Sequence, residues 1–481
     1  MTERSSQLST ARGAALYIGA LLGPGLLLLP GLAAAEAGPA SVLAWIALLL
    51  LSGLFAVVFA ALGRSFSSAS GVTGYVTAGL GERAGRAAGW MFLAGVVTGA
   101  PVVCLIGAGY LTELTGGGQL ARACAAALLL LVVLVLAGCG LRAGSTAQLL
   151  LVGLLIIVVG VAVAGSAHAA RTANWTPFAP HGWLAVGHAA ATLMLSFVGW
   201  EAVAPLTTRF ADPARQLPRV VAIALAVTSV LYLGLAVAVI GVLGGDAGTL
   251  VPLGGLLRTA VGRAGTAGAA VAAVVLTLGA TNAYINGAAA MAQALRRPRP
   301  AVGNPADAGA AAVDGGAAVD GGGRDAGPRR PAPGMLAAIA VSGLLLITLY
   351  GLGLANPASL VAVPTTLFLA VYLGCMIAAV RLLRGPARWA ALPAAVAVLV
   401  VLGYCGWALA VPAAVAAAAF RRRARGRLRN WARFRRVDCA IGADRRSRSR
   451  NRPVGAGPFA QMGPIEQIGP IEEPIAQSTR N

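Results

Sequence analysis

The chain contains repeated apolar runs of about 20 residues, and this feature constrains its fold more than any other. A run of that length crosses the hydrocarbon core of a bilayer as a helix, which satisfies its own backbone hydrogen bonds where no water is present. Of the 481 residues, 58% are hydrophobic and 11% are charged. The sequence therefore predicts an all-α, polytopic membrane protein.

We predict about twelve transmembrane helices from these runs. They lie at residues 12–35, 39–62, 88–113, 121–141, 146–166, 184–206, 218–243, 266–294, 335–353, 359–382, 388–402 and 404–420. Arginines are concentrated on one side of this arrangement, and loops on the cytoplasmic side of a membrane are enriched in arginine and lysine. The distribution predicts that both termini are cytoplasmic, with residues 1–11 as a cytoplasmic N-terminal segment.

The formal net charge of +21 is also compatible with a nucleic-acid partner. Every basic residue is an arginine, however, and the arginines lie mainly between the predicted helices and near the C-terminus. Only four of them fall in the predicted outer loops or at the outer end of a predicted helix: Arg122, Arg171, Arg258 and Arg263. The charge therefore follows membrane topology, and we expect no nucleic-acid partner.

Two stretches differ in composition from the predicted helices. Residues 296–333 are rich in Ala, Gly, Asp, Arg and Pro, which predicts a disordered cytoplasmic loop. Residues 421–481 begin with arginines and continue with Pro, Gly and Glu, which predicts a disordered cytoplasmic tail. This tail either lies against anionic lipids or is solvated and only fixes the topology.

Cysteines and histidines are scattered singly along the chain, without the spacing of metal ligands. No segment brings together a nucleophile, a base and an orienting acid. We therefore expect no metal, no cofactor and no enzymatic activity.

The first predicted helix carries a break at Gly23, Pro24 and Gly25. Glycine allows unusual backbone dihedrals and proline lacks an N–H donor, so the helix should unwind there. The half-helix that begins near Gly25 would point free N–H groups and a positive dipole end into the protein, which suits a carboxylate. The same pattern is also compatible with a simple packing kink.

The sixth predicted helix carries a second break, at residues 197–201. Phe197, Val198, Gly199 and Trp200 are followed by Glu201, an acid at a depth where ionisable residues are costly. Carbonyls freed around Gly199 would accept hydrogen bonds from a substrate ammonium, and the two aromatic rings would close over it. Glu201 is a candidate for proton coupling or gating, or a structural acid that bonds the unwound backbone.

Asn282 and Asn286 place two amides one helical turn apart in the eighth predicted helix. Helix-to-helix hydrogen bonding explains them, but we also include Asn282 among the candidate substrate-binding residues.

Both breaks resemble those of the amino acid, polyamine and organocation (APC) permeases, whose first and sixth helices carry a Gly-x-Gly break and a Phe-x-Gly-x-Glu-like break. Residues 62–76 are similar to that family's first inner loop. Residues 212–219, which read Asp-Pro-Ala-Arg-Gln-Leu-Pro-Arg, resemble its segment after the sixth helix. The resemblance covers residues 12–420. Pro24 departs from it, since a small residue is more usual there.

The resemblance implies an inverted repeat of five plus five helices, residues 12–166 and 184–382, with broken helices 1 and 6 and two extra helices at 388–420. It implies a substrate held between helices 1 and 6, and it is strongest to the branch with methionine and branched-chain amino acid exporters. The resemblance also implies secondary active transport of amino acids across the cytoplasmic membrane, which we expect to be that of a bacterium. Apart from Glu201, the cores of the first, third, sixth, eighth and tenth predicted helices lack charge, so we predict that the transported amino acids are neutral.

Proton coupling and exchange both remain open as the driving mechanism of that transport. Two alternative functions also remain open. One is a carrier of polyamines or organic cations on the same fold, and the other is a membrane sensor or assembly subunit that binds without transporting.

Overall fold

The computed structural model describes residues 9–23, 25–66, 71–141, 145–202, 210, 212–296 and 331–419. These residues are helical apart from short connecting segments, and none of them forms an extended β-strand. Within these ranges, nine helices are long and apolar enough to cross a membrane. The prediction of an all-α, polytopic membrane protein is confirmed.

Most of the helices follow the predicted intervals in order along the chain. They are α1 (Thr10–Leu21), α2 (Gly25–Ala37), α3 (Ser41–Ser65), α4 (Gly71–Leu80), α5 (Glu82–Thr115), α6 (Gln119–Gly138), α7 (Ser145–Ser166), α8 (Leu184–Leu193), α9 (Pro213–Ala238), α10 (Pro252–Val261), α11 (Arg263–Arg296), α12 (Pro333–Gly351), α13 (Pro357–Leu382) and α14 (Pro386–Gly403), with a last helical stretch at Gly406–Ala419.

The predicted count of twelve crossings is not settled by these helices. The first predicted helix is divided into α1 and α2, and α2 is joined to α3 by a 3-10 turn at Gly38–Ala40. The sixth and twelfth predicted helices correspond to the shorter apolar stretches Leu184–Phe197 and Gly406–Ala419. The count of twelve and the inverted repeat therefore stay predictions.

Two helices, α4 and α10, lie in segments that we predicted to be loops. Both have only 10 residues, which is too short to cross a bilayer. They pack against the long helices instead: a Cβ added to Gly79 of α4 would lie 2.6 Å from the Cα atom of Ala378 in α13. Such close backbone contact requires glycine and fixes α4 beneath α13.

Helix α5 lies at the centre of the bundle and packs against α4, α6, α11, α12 and α13. Small residues on its surface allow this. A Cβ at Gly95 would lie 3.0 Å from the ring of Phe368, and one at Gly107 would lie 2.6 Å from Oγ1 of Thr277. Glycines in α5 thus let neighbouring helices approach closely around the middle of the protein.

Several predicted features lie outside the described residues. These are Pro24, most of the predicted loop (residues 297–330), and the tail from residue 420 onward. The predictions for these segments stay predictions.

Candidate functional site

The first predicted break is an interruption between α1 and α2. The α-helical bonding ends with Leu22, whose N–H donates to the carbonyl of Ile18 at 2.7 Å. The Gly23 N–H turns back to the carbonyl of Leu21 at 2.9 Å, and α2 begins at Gly25. Backbone groups at this depth are therefore released from the helix ladder.

The second predicted break follows α8. A 3-10 turn at Met194–Phe197 leads to an extended Val198, with φ −76° and ψ 133°. Gly199 has φ +140°, and a second 3-10 turn at Trp200–Ala202 follows. The backbone at Val198 and Gly199 therefore leaves the helical conformation.

Gly199 brings the two breaks into direct contact. A Cβ added to it would lie 2.5 Å from the carbonyl oxygen of Ala20 and 3.4 Å from the Cα atom of Leu21. Its positive φ is also unfavourable for residues that carry a side chain. Only glycine therefore fits here without moving one of the two chain segments.

Tyr232 of α9 joins the two breaks through its hydroxyl group. The oxygen lies 2.7 Å from the carbonyl of Leu21 and 2.8 Å from the carbonyl of Ser196. Its ring contacts the rings of Trp45 and Phe197, with centroid distances of 5.2 and 5.4 Å. A hydroxyl carries a single proton, so the two carbonyls share one donor.

Glu201 and Tyr372 close the second break on its other side. The hydroxyl of Tyr372, in α13, accepts hydrogen bonds from the N–H groups of Gly199 and Trp200 at 3.0 and 3.1 Å. It also donates to Oε2 of Glu201, which accepts a further bond from the Gly199 N–H at 2.9 Å. The carboxylate therefore bonds the unwound backbone, as the structural interpretation of this acid requires.

Trp200 is fully buried and ties the second break to two further helices. Its indole Nε1 donates to Oγ of Ser52 in α3 at 2.8 Å, and its carbonyl accepts from the hydroxyl of Tyr17 in α1 at 3.1 Å. The rings of Tyr17 and Trp200 are 5.6 Å apart. These contacts give Trp200 an anchoring role.

A pocket, here called the central pocket, opens beside the first break. Its lining comes from both breaks and from helices α5, α11 and α13: Leu21, Gly23, Gly25, Gly95, Val96, Gly99, Ala100, Val103, Ile106, Leu195, Val198, Thr281, Tyr284 and Phe368. No described residue in this lining is charged. The pocket combines released backbone at one end with apolar side chains along its walls.

The structure brings some predicted site residues to this pocket and places others elsewhere. Gly23, Gly25 and Val198 line it, and Pro24 lies outside the described residues. Two others are fixed away from the lining, because Phe197 packs against Trp45 and Tyr232 and Trp200 bonds Ser52.

Asn282 is also placed away from the central pocket. Its side-chain amide donates to the carbonyl of Leu141 at 2.9 Å and accepts from Asn286 at 3.3 Å. Its neighbours Thr281 and Tyr284 line the pocket instead. Asn282 therefore bonds the segment that follows α6, a structural role close to the helix-to-helix bonding considered for it from the sequence.

Sequence reasoning did not identify Tyr232, Tyr372, Thr281 or Tyr284 as site residues. A tyrosine within an apolar run carries no periodic signal that separates a site residue from a packing residue. Ser196, which directly precedes the second break, was not predicted as a site residue either, yet its Oγ is buried without a hydrogen-bond partner that the described residues supply. An unsatisfied buried hydroxyl beside a pocket is a signal that only the structure provides.

No group of three His, Cys, Asp or Glu side chains in the described ranges is placed to hold a metal ion. The described cysteines, Cys104, Cys124, Cys139, Cys375 and Cys405, are free. The absence of a cofactor stays a prediction.

A multi-pass helical membrane protein with an uncharged pocket between two interrupted helices belongs structurally with the membrane permeases. Residues 8–299 match the model of a family described as amino acid permease. The chain is 31% identical to the uncharacterized amino acid permease YecA of Bacillus subtilis over 423 residues, or 87% of this chain and 96% of that protein. The chain belongs to the amino acid permease family, which confirms the resemblance to the APC permeases.

Two further relatives are similar over about half of the chain. One is the L-methionine/branched-chain amino acid exporter YjeH of Escherichia coli, 32% identical over 50% of this chain and 57% of that protein. The other is the branched-chain amino acid permease BcaP of Bacillus subtilis, 27% identical over 47% of this chain and 53% of that protein.

Proposed function

We propose that this permease carries neutral amino acids across the cytoplasmic membrane of a bacterium, by secondary active transport and alternating access. The observation that carries the proposal is the central pocket, where released backbone from two touching helix breaks meets uncharged apolar walls. Membership of the amino acid permease family supports an amino acid as the substrate.

The first break is the proposed seat for the substrate carboxylate. Helix α2 begins at Gly25 with its N-terminus facing the pocket, and such a terminus offers N–H groups and a partial positive charge. Gly23 and Gly25 have no side chains to block the approach. The nearest atom to a Cβ built at Gly23 is the Tyr284 hydroxyl at 4.0 Å.

The second break is the proposed seat for the ammonium group. The carbonyls of Leu21 and Ser196 already accept from Tyr232, so the carbonyls of residues 197–199 are the ones left for a cation. The extended conformation of Val198 supports this, because it takes the chain out of the helix ladder beside the pocket.

The walls of the pocket favour an aliphatic or thioether side chain. Val96, Val103, Ile106, Leu195 and Phe368 provide an apolar surface. Burying a cationic side chain among such residues without a partner would cost several kcal/mol. The descriptions of YjeH and BcaP, which refer to methionine and branched-chain amino acids, support the same conclusion.

Coupling to a proton at Glu201, or exchange of one amino acid for another, would drive the transport. Glu201 links α13 to the second break through Tyr372 and Gly199. A protonated carboxyl group has less capacity to accept hydrogen bonds, so protonation would loosen this link.

We also propose twelve crossings with both termini cytoplasmic, and an inverted repeat of five plus five helices in which α1/α2 and α8 correspond. The contact of the arginine-rich tail with anionic lipids stays a prediction.

A carrier of polyamines or organic cations is less well supported. Such a carrier needs a carboxylate free to bind an amine, but Oε2 of Glu201 is already bonded to Gly199 and Tyr372. Glu201 is also not part of the central pocket lining.

Counterflow in proteoliposomes tests the proposal. The vesicles are loaded with neutral amino acids, and labelled methionine, leucine, arginine or putrescine is offered outside at two pH values. We expect accumulation of methionine or leucine, with a pH dependence if a proton is coupled. Accumulation of putrescine alone would support the amine carrier, and binding without accumulation would support the non-transporting alternative.

The variant Gly25→Val tests whether counterflow depends on the carboxylate site at the first break. A Cβ at Gly25 would meet Leu29 Cδ1 at 3.0 Å and Ser196 Oγ at 3.2 Å, and the larger valine fills the carboxylate seat. We expect loss of counterflow with folded protein still in the membrane. The matched control is Gly160→Val in α7, where a Cβ meets nothing within 4 Å. Normal counterflow by Gly25→Val would contradict the assigned seat.

A further inference from the structure

A second pocket, here called the outer pocket, lies beside the central pocket towards the predicted outer loops. It is lined by Leu28, Val102, Leu105, Ile106, Gly109, Arg122, Leu250, Tyr350, Pro357 and Leu360. Ile106 belongs to both linings. Along α13, Leu360 precedes Phe368 of the central pocket by eight residues, which is about 12 Å of helix. The two pockets therefore follow one another along the same helices.

Arg122 is the charged residue in this lining. A guanidinium group has five N–H donors, and the described residues supply acceptors for two of them. Nε donates to Oγ1 of Thr112 at 3.4 Å and Nη1 donates to the hydroxyl of Tyr350 at 3.2 Å. Both distances are long for a charged donor, so these two bonds leave the guanidinium of this pocket-lining residue unsaturated.

No described carboxylate forms an ion pair with Arg122. The charged neighbours are Glu113 and Arg258: Glu113 interacts electrostatically with both arginines, and its Oε2 is buried without a hydrogen-bond partner in the described ranges. Arg122 is half-buried. Glu113 acts on it electrostatically but forms no salt bridge with it in the described ranges, so the guanidinium keeps donors that can bind an anion.

The remaining walls of the outer pocket are apolar. Leu28, Val102, Leu105, Leu250 and Leu360 surround the space next to the guanidinium. A ligand that matches this surface has a carboxylate at one end and an aliphatic group at the other. An arginine holds a carboxylate through two parallel hydrogen bonds, and the donors left free on Arg122 allow this.

We propose that the outer pocket is a second binding site, in which Arg122 holds the carboxylate of an aliphatic amino acid next to the central pocket. That the ligand is an amino acid rests on the proposed function. That it carries a carboxylate and an aliphatic group is inferred from Arg122 and the apolar walls. No described residue of its lining carries a carboxylate that would bind an ammonium group. The site should therefore also accept an aliphatic carboxylate that lacks the amino group.

Equilibrium binding of labelled 4-methylpentanoate, which is leucine without its amino group, tests this proposal. The full-length protein is held in lipid nanodiscs, so the readout does not require transport. We expect saturable binding that leucine displaces. Arg122→Gln should weaken binding about tenfold or more, because a charge-assisted hydrogen bond is lost. Arg122→Lys should bind more weakly than the wild type but more tightly than Arg122→Gln, since it keeps the charge and loses the two parallel hydrogen bonds.

The matched control is Arg171→Gln, which removes an exposed arginine of the outer loops that does not line the pocket. It should bind as the wild type does. Unchanged binding by Arg122→Gln, or no saturable binding by the wild type, would overturn the site. Failure of leucine to displace the probe would overturn the amino acid as its ligand. If the proposed transport function is wrong, counterflow will show no accumulation, but binding of 4-methylpentanoate in nanodiscs can still be measured and interpreted.

Discussion

The two helix breaks lie in contact but are held in different ways. The first break is bounded by glycines, and its described residues make few polar contacts. The Gly23 N–H turns back on Leu21, the Leu26 N–H bonds the Gly23 carbonyl, and Tyr232 bonds the Leu21 carbonyl. The second break is held by side chains from helices α1, α3, α9 and α13. The difference indicates that side chains from four helices hold the second break, here called the framed break, in one conformation. The first break, here called the open break, leaves its backbone accessible from the central pocket.

We expect transport to be lost most completely when the contact between the two breaks is disturbed, and Gly199→Ala tests this. The added Cβ would lie 2.5 Å from the Ala20 carbonyl oxygen and would require an unfavourable φ of +140°. We expect counterflow to be abolished and the melting temperature to fall by several degrees. Gly160→Ala, in open space, is the control. Wild-type transport by Gly199→Ala would show that the two breaks need not touch.

The variant Tyr372→Phe tests whether side-chain hydrogen bonds hold the framed break in its conformation. The variant keeps the ring contacts with Phe55 and Phe59. It removes the hydroxyl that accepts from the Trp200 N–H and donates to Glu201, while the Gly199 N–H keeps its bond to Glu201 Oε2. Leaving such buried groups unpaired costs about 2 kcal/mol. We expect a lower melting temperature and a reduced rate of exchange, both measured on purified protein.

Phe368 provides the matched control for this variant, because it is an aromatic residue on the same helix with no hydroxyl group. Phe368→Leu should alter substrate preference more than the melting temperature. If Tyr372→Phe leaves the melting temperature unchanged, the second break is not held from α13.

The smallest effect is expected for Tyr232→Phe, which removes one shared donor between the breaks. The ring still packs on Trp45 and Phe197. Loss of a single hydrogen bond costs about 1 kcal/mol, so we expect the half-saturating substrate concentration to change about fivefold, with the melting temperature little affected. An effect as large as that of Tyr372→Phe would erase the distinction between the open break and the framed break.

The fold class and the two breaks could be predicted because their signals are local. Long apolar runs predict membrane helices, and glycine or proline within a run predicts an interruption. Helices α4 and α10 were missed because each is short and is stabilised by packing against its neighbours. Their hydrophobic pattern alone does not separate them from loops.

The individual contacts of the site were less predictable, because they depend on how each helix is rotated. Successive residues in a helix point about 100° apart. Asn282 therefore bonds Leu141, while Thr281 and Tyr284, which share a face, line the central pocket. The roles of Tyr232 and Tyr372 depend on partners more than 30 residues away in the chain. No pattern in one segment contains that information.

The backbone contact between Gly199 and Ala20 also limits how this permease can be engineered. A redesign for a larger or differently shaped substrate has to leave both partners of that contact unchanged, since any side chain at residue 199 separates the half-helices. The adjustable positions are on the walls, such as Val96, Val103 and Phe368. A mutant library directed at these three positions would change substrate selectivity and leave the contact between Gly199 and Ala20 intact.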